Sequence, residues 1–336
     1  MADRALAPRA DLAMDGIAVL CIGAIATLAQ ASGWYYLAFP GLGAISHDVL
    51  TRPWGKWASQ PVRLILTPVL AAVVGTGISR KLPYHALTIM LVVTACLVLL
   101  KALKSHMVPA VSAGVLPIVL DVKNWLYPAS IGLGLVALSG ILLPWRSYYR
   151  RKYHASLQVS DVDLDDVFET RPTGGKWILP FFLFLAVMAS CATASGLRLM
   201  LIPPLIVMAY EMFAHPTSCP WAGKPLALPV ACVLISGAGL VAVSVQPING
   251  IAAGFDMAFG IVVLRVLKIH MPPALAVGLL PLVIHSPGIS YPVCVGIGTA
   301  ALTLTFLLYR RWVLAPRAGR GQCLDRVRSS RCPMRN

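Results

Sequence analysis

Residues 268–281 read KIHMPPALAVGLLP and residues 104–117 read KSHMVPAVSAGVLP. The stretches start at 104 and 268, so one copy lies 164 residues beyond the other. Sliding the chain by that amount aligns 97–134 with 261–298 without a gap, and the matches include Lys104, His106, Met107, Pro109, Gly114, Pro117, Tyr127 and Pro128. The same shift pairs Pro40 with Pro204, Trp57 with Trp221, Pro61 with Pro225 and Gly75 with Gly239. Shared apolar composition would generate Leu and Val matches, but not this set of Lys, His, Tyr, Trp and Pro. The chain is a duplicated unit, and the two copies are expected to fold alike.

The solvent of that fold follows from composition. Hydrophobic residues make up 58% of the 336 positions and charged residues only 12%, with a mean hydropathy of +0.76. Soluble domains are about one quarter charged, so most of this surface faces lipid. Apolar segments fall at 15–32, 37–50, 62–79, 85–103, 108–120 and 127–144 in the first unit, and at 177–197, 199–213, 226–245, 248–267, 272–284 and 291–309 in the second. The second and fifth of each set are shorter than the roughly 20 residues that a helical span needs. The expected fold is an all-α polytopic membrane protein, built of two parallel repeats. Each repeat would hold about four spans and two short helices, and whether those short pieces cross or re-enter is left open.

All eight tryptophans fall at segment ends, as indole rings at the headgroup level do. Arg4 and Arg9 precede the first span, and the cluster Arg146, Arg150, Arg151, Lys152 follows the first unit. Eight arginines lie between Arg310 and Arg335. The positive-inside bias then puts both termini and the central linker in the cytoplasm of a bacterial inner membrane. The implied divisions are 1–146 for the first membrane repeat, 147–176 for a polar linker, 177–312 for the second repeat and 313–336 for a basic tail. The tail is read as a topology signal and not as a nucleic-acid contact. The start of the chain lacks the features of a cleaved signal peptide, so the first segment is expected to remain as a span. None of the eight cysteines forms a C-x-x-C pair, and no disulfide framework, metal site or cofactor is expected.

In each unit an apolar run ends on two cations three residues apart, Lys101 with Lys104 and Arg265 with Lys268. A His follows, then proline, then a second apolar run. Proline denies a backbone donor, so each phrase should read as helix, break, short helix. A cationic break followed by free helix N–H groups suits an anion. Ionisable groups inside a membrane cost roughly 2.5–3.5 kcal/mol each on insertion scales, which favours a functional role. The opposing reading puts both breaks at the membrane edge, with the lysines reaching the headgroups. Under the repeat shift His47 falls opposite Glu211, and Asp121 opposite His285, so His–carboxylate pairs across the repeat axis are one expectation. Glu211 and Asp256 are the candidates for a proton-linked step. No hydrolase, zinc-protease, Walker or dinucleotide motif is present, so no catalytic residue and no enzyme activity is expected.

Phe39-Pro40-Gly41-Leu42-Gly43-Ala44 resembles the FPxLGA stretch of the HPP family of integral membrane proteins, and Ser59-Gln60-Pro61 resembles the segment that follows it. His270-Met271-Pro272-Pro273-Ala274 is similar to the family's His-Pro-Pro-Ala signature. A Met separates His from Pro-Pro here, Val108 replaces the first Pro in the other unit, and the first motif is reduced to Ile202-Pro203-Pro204-Leu205 in the second. Each unit keeps one motif and lets the other drift, as a fused pair with one composite site would. The resemblance implies two HPP-type units in tandem, about four spans per unit, and transport, with nitrite transport attached to plastid members. The expected activity is a permease for a small solute, an inorganic anion such as nitrite being favoured. Its binding residues would be Phe39, Pro40, Gly41, Gly43, Lys104, His106, Pro109, Lys268, His270, Pro272 and Pro273. Homo-oligomer formation is left open. The alternative is a non-transporting membrane scaffold that recruits a partner through its tail and linker.

Overall fold

The computed structural model describes residues 3–53, 55–153, 174–245, 249–284 and 287–311. Most of the polar linker, the basic tail and His285 lie outside these residues. The described residues are helical, with no strand among them. The first half contains α1 (Asp3–Ser32), α2 (Pro40–Thr51), α3 (Lys56–Ser59), α4 (Pro61–Ser79), α5 (Ala86–Ala102), α6 (Pro109–Val119) and α7 (Leu126–Tyr153). The second contains α8 (Ile178–Ser195), α9 (Pro203–Ala214), α10 (Ala227–Val245), α11 (Gly250–Leu267), α12 (Pro272–Leu279) and α13 (Ser290–Tyr309). Single 3₁₀ turns precede α2 (Tyr35–Ala38) and α9 (Arg198–Leu201), and a third, Leu280–Leu282, extends α12. Shifted by 164, the start of α11 coincides with that of α5 and the start of α13 with that of α7. Among the described residues, seven helices are long and apolar enough to cross a membrane. The mate of the span α11, α5, is 17 residues long and equally apolar in character.

Local chemistry sets these boundaries. Proline opens α2, α4, α6, α9 and α12, where its missing N–H would have had no helical partner in any case. The side chains of His85 and Asn249, again 164 apart, accept hydrogen bonds from Leu87 N–H (3.3 Å) and Ala252 N–H (2.7 Å) and so cap α5 and α11. At the other end of the same two helices Lys104 and Lys268 take left-handed backbone, with φ of 51° and 52°. Ser105 N–H then reaches back to Leu100 C=O and Ile269 N–H to Leu264 C=O, a closing turn that ties off the last carbonyls.

One glycine pair fixes the interior of each repeat. A Cβ on Gly75 would overlap the carbonyl of Gly114, and one on Gly239 would overlap that of Gly278. Helices α4 and α6, and likewise α10 and α12, therefore touch backbone to backbone, as small residues allow within a membrane. The buried hydroxyls of Tyr127 and Tyr291 donate to Ala113 and Val277 carbonyls in matching fashion. Between the repeats the packing is reciprocal: α2 lies on α12 while α9 lies on α6, and α1 lies on α11 while α8 lies on α5.

Candidate functional site

Where α2, α9, α6 and α12 converge a vestibule opens, and the empty space in it and before its mouth, open solvent included, is about 580 Å³. Trp57 with Trp221, and Pro109 with Pro273, line it, and each pair is related by the repeat shift. The cavity thus straddles the relation between the two units. Its other apolar walls are Ala44, Val207, Pro220 and Pro272, and its polar groups are Asp48, Arg52, Glu211 and His270. These four polar groups are not related to one another by the repeat shift: the mates of Asp48 and Arg52 are Met212 and Pro216, and Glu211 faces the position of His47.

On one seam a ladder of charge joins the repeats. Arg265, at the end of α11, pairs with Asp15 on α1, and His47 Nε2 lies 3.3 Å from the same carboxyl. The rings of His47 and His270 are 6.2 Å apart. His270 Nε2 is 3.8 Å from Asp48 Oδ1, and Arg52 pairs with Asp48 one turn along α2. Burial, reinforced by the neighbouring His270 and Arg52, pulls the His47 imidazole below its ordinary value against the opposing pull of Asp15. His47 is thereby kept neutral at pH 7, which leaves Arg265 as the cation that balances Asp15.

Glu211 stands apart. Its Oε2 is buried without a hydrogen-bond partner, and the nearest basic atom, His215 Nε2, is 4.0 Å away, beyond hydrogen-bonding reach. Burial pushes the Glu211 carboxyl up to about 8 and pulls His215 down, so the two face each other largely uncharged at pH 7.

The residues expected from sequence divide sharply. Pro109, His270, Pro272 and Pro273 line the vestibule, and so does Glu211. Phe39, Pro40, Gly41 and Gly43 are buried at the start of α2, where Gly43 admits the side chain of Leu279 from α12. The two well-kept motifs, one from each unit, do meet there, but by packing, and only Ala44 of the first reaches the cavity wall. His106 lines a separate, smaller recess with Trp57, Arg63 and Ser105. The side chains of Lys104 and Lys268 are exposed and line neither cavity. Their helices end at Ala102 and Leu267, so the shared face that a three-residue spacing implies is lost at the left-handed turn. What the turns expose to other groups is carbonyl oxygen: Arg63 donates to Lys104 C=O at 3.4 Å, and Lys224 Nζ to Leu267 and Lys268 C=O at 3.2 and 3.3 Å. Cations thus cap helix C-termini, the reverse of an anion site built on a helix N-terminus.

Asp256 lies inside the second repeat between Gly239 and Gly278, both oxygens buried and without a hydrogen bond, and it does not line the vestibule. The two acids suggested for a proton-linked step are therefore separated. The expected pairing of His47 with Glu211 across the axis does not form: His47 pairs with Asp15 of its own repeat and Glu211 faces His215 just beyond its own helix. Asp121 meets Lys123 at 3.0 Å on an exposed turn, and His285, its expected mate, lies outside the described residues. Sequence reading missed Asp15, Arg52 and both lining tryptophans. The Trp57–Trp221 match was the available signal, but a match alone does not mark the axis, since Tyr127 and Tyr291 match equally and bond within their own repeats.

No protein-family model matches the chain, and comparison with curated proteins and with solved structures finds no match.

Proposed function

We propose that this multi-pass membrane protein is a permease for a small solute, which binds in the vestibule where the two repeats meet. One observation carries the reading: the cavity is walled by equivalent residues of both units, Trp57 with Trp221 and Pro109 with Pro273. A site on the axis between repeats opens to either side of a membrane when one unit rocks against the other. The expectation of an inorganic anion such as nitrite drew on the HPP resemblance and on the cationic breaks that carry Lys104, His106, Lys268 and His270. With both lysine side chains outside the vestibule, the substrate class is taken from the wall itself.

The test places a single cysteine at the wall, Val207→Cys, in a cysteine-free background in sealed vesicles of both orientations. A permease exposes this position to a membrane-impermeant thiol reagent from either side of the membrane. Labelling from one face only, under every condition of solute and pH, would overturn the reading and favour a static scaffold.

A further inference from the structure

We infer that the vestibule takes a small monovalent organic cation of the alkylammonium class, which binds at the Glu211 carboxylate in exchange for a proton. This rests on the permease reading above and names its substrate class.

The charges of the wall give the sign. Asp48 is balanced by Arg52, its ion-pair partner, with His270 3.8 Å from the same carboxyl. Glu211 has no such partner: its carboxyl is mostly buried, Oε2 accepts nothing, and the nearest base stops at 4.0 Å. A lone carboxyl beside an apolar cavity is stable in two states, protonated or next to a cation that replaces the proton. The rest of the wall suits the second state. The indole nitrogens of Trp57 and Trp221 are buried without an acceptor, so what each ring adds to the cavity surface is carbon. Aromatic and proline carbon packs against the methyl groups of an ammonium ion, and an indole ring attracts its charge. An anion would meet the same carbon and a second carboxyl, with the wall's arginine, Arg52, already paired to Asp48 and the exposed lysines elsewhere.

The exchange is balanced. Glu211–COOH loses its proton to water at the mouth as the ammonium ion enters, leaving a carboxylate–ammonium pair and no change in the charge of the site. The groups facing Glu211 are Asp48 and Arg52 from α2, His270 from the α11–α12 break, Tyr210 and His215 from its own helix, and Cys219 beyond it. Arg52 is committed to Asp48, and His215 is neutral at pH 7. Proton and cation therefore compete for one carboxyl. With its proton affinity centred on about pH 8, apparent cation affinity should fall about tenfold from pH 7 to pH 6 and level off above pH 8.

Tetramethylammonium is the probe, because it has no proton of its own and does not cross lipid. Titrated calorimetrically into the full-length purified chain at pH 7, in two buffers of different ionisation heat, it should bind and release about one proton. Glu211→Gln should abolish the release and weaken binding at least tenfold, while proton release by the unmodified chain does not depend on any variant folding. Binding without proton release, or binding unchanged by Glu211→Gln in a folded chain, would overturn the inference. So would nitrite binding where tetramethylammonium does not, an outcome that leaves the permease reading standing. Two-sided labelling of Val207→Cys with neither probe bound would likewise remove the substrate class alone, whereas one-sided labelling removes the permease.

Discussion

The two seams between the repeats use equivalent helices and different chemistry. Where α1 and α2 meet α11 and α12, Arg265, Asp15, His47, His270, Asp48 and Arg52 form a continuous run of charged and polar groups. At the equivalent seam, where α8 and α9 meet α5 and α6, the mates are Lys101, Leu179, Glu211, His106, Met212 and Pro216. Asp15 is buried, whereas Leu179 is 76% exposed. Duplication has preserved the parts that shape the backbone, and the polar groups have diverged between copies. A symmetric scaffold thus carries an asymmetric site, with one seam fastened by charge and the other holding an acid that has no counter-ion.

The glycine contacts test the preserved side of that comparison most strongly. Gly75→Ala and Gly239→Ala each drive a methyl group into a backbone carbonyl, where no side chain can rotate away. Each should cost about 3 kcal/mol, the upper end for overpacking, read as stability of the purified chain in detergent. Unequal costs would show that the repeats no longer share one packing. Asp15→Leu writes the second seam into the first and leaves Arg265, 45% exposed and able to turn to water, without its partner. It should cost about 2 kcal/mol, less than for a fully buried pair, while Leu179→Ala costs close to nothing. Equal effects would refute the asymmetry. The smallest test is Tyr127→Phe beside Tyr291→Phe. Each removes one buried hydroxyl donor from a helical carbonyl and should cost about 1 kcal/mol in either repeat.

Much of the architecture was legible because its causes are local. The expected segments 62–79, 85–103 and 108–120 became helices 61–79, 86–102 and 109–119, since proline at the first position of the outer two acts through its own missing N–H and the His85 side chain caps the middle one. The segments 37–50 and 199–213 each resolved into a 3₁₀ turn and a short helix, a division that apolar runs do not signal. The site was less legible. Lys104 and Lys268 were expected to serve it because residues three apart share a helix face, a rule that needs the helix to continue through them. It stops two residues before Lys104 and at the residue before Lys268. Trp57 and Trp221 carry the composition of a membrane belt as much as that of a cavity wall, so their type alone did not assign them.

The sequence by itself determined the lipid environment, the duplication, the order of long and short helices, and the starts of the helices that proline opens. Those properties depend on neighbours along the chain and on the summed cost of moving segments from water to lipid. Only the tertiary structure decided which side of each break faces inward, that Asp15 meets Arg265 from 250 positions away, and that Glu211 rather than a lysine is the unpartnered ionisable group at the vestibule. Periodicity places a residue on a face of its helix. What that face meets is set by packing between helices distant in sequence, and it is that packing, by removing water and supplying or withholding a partner, that gives a buried carboxyl its chemistry.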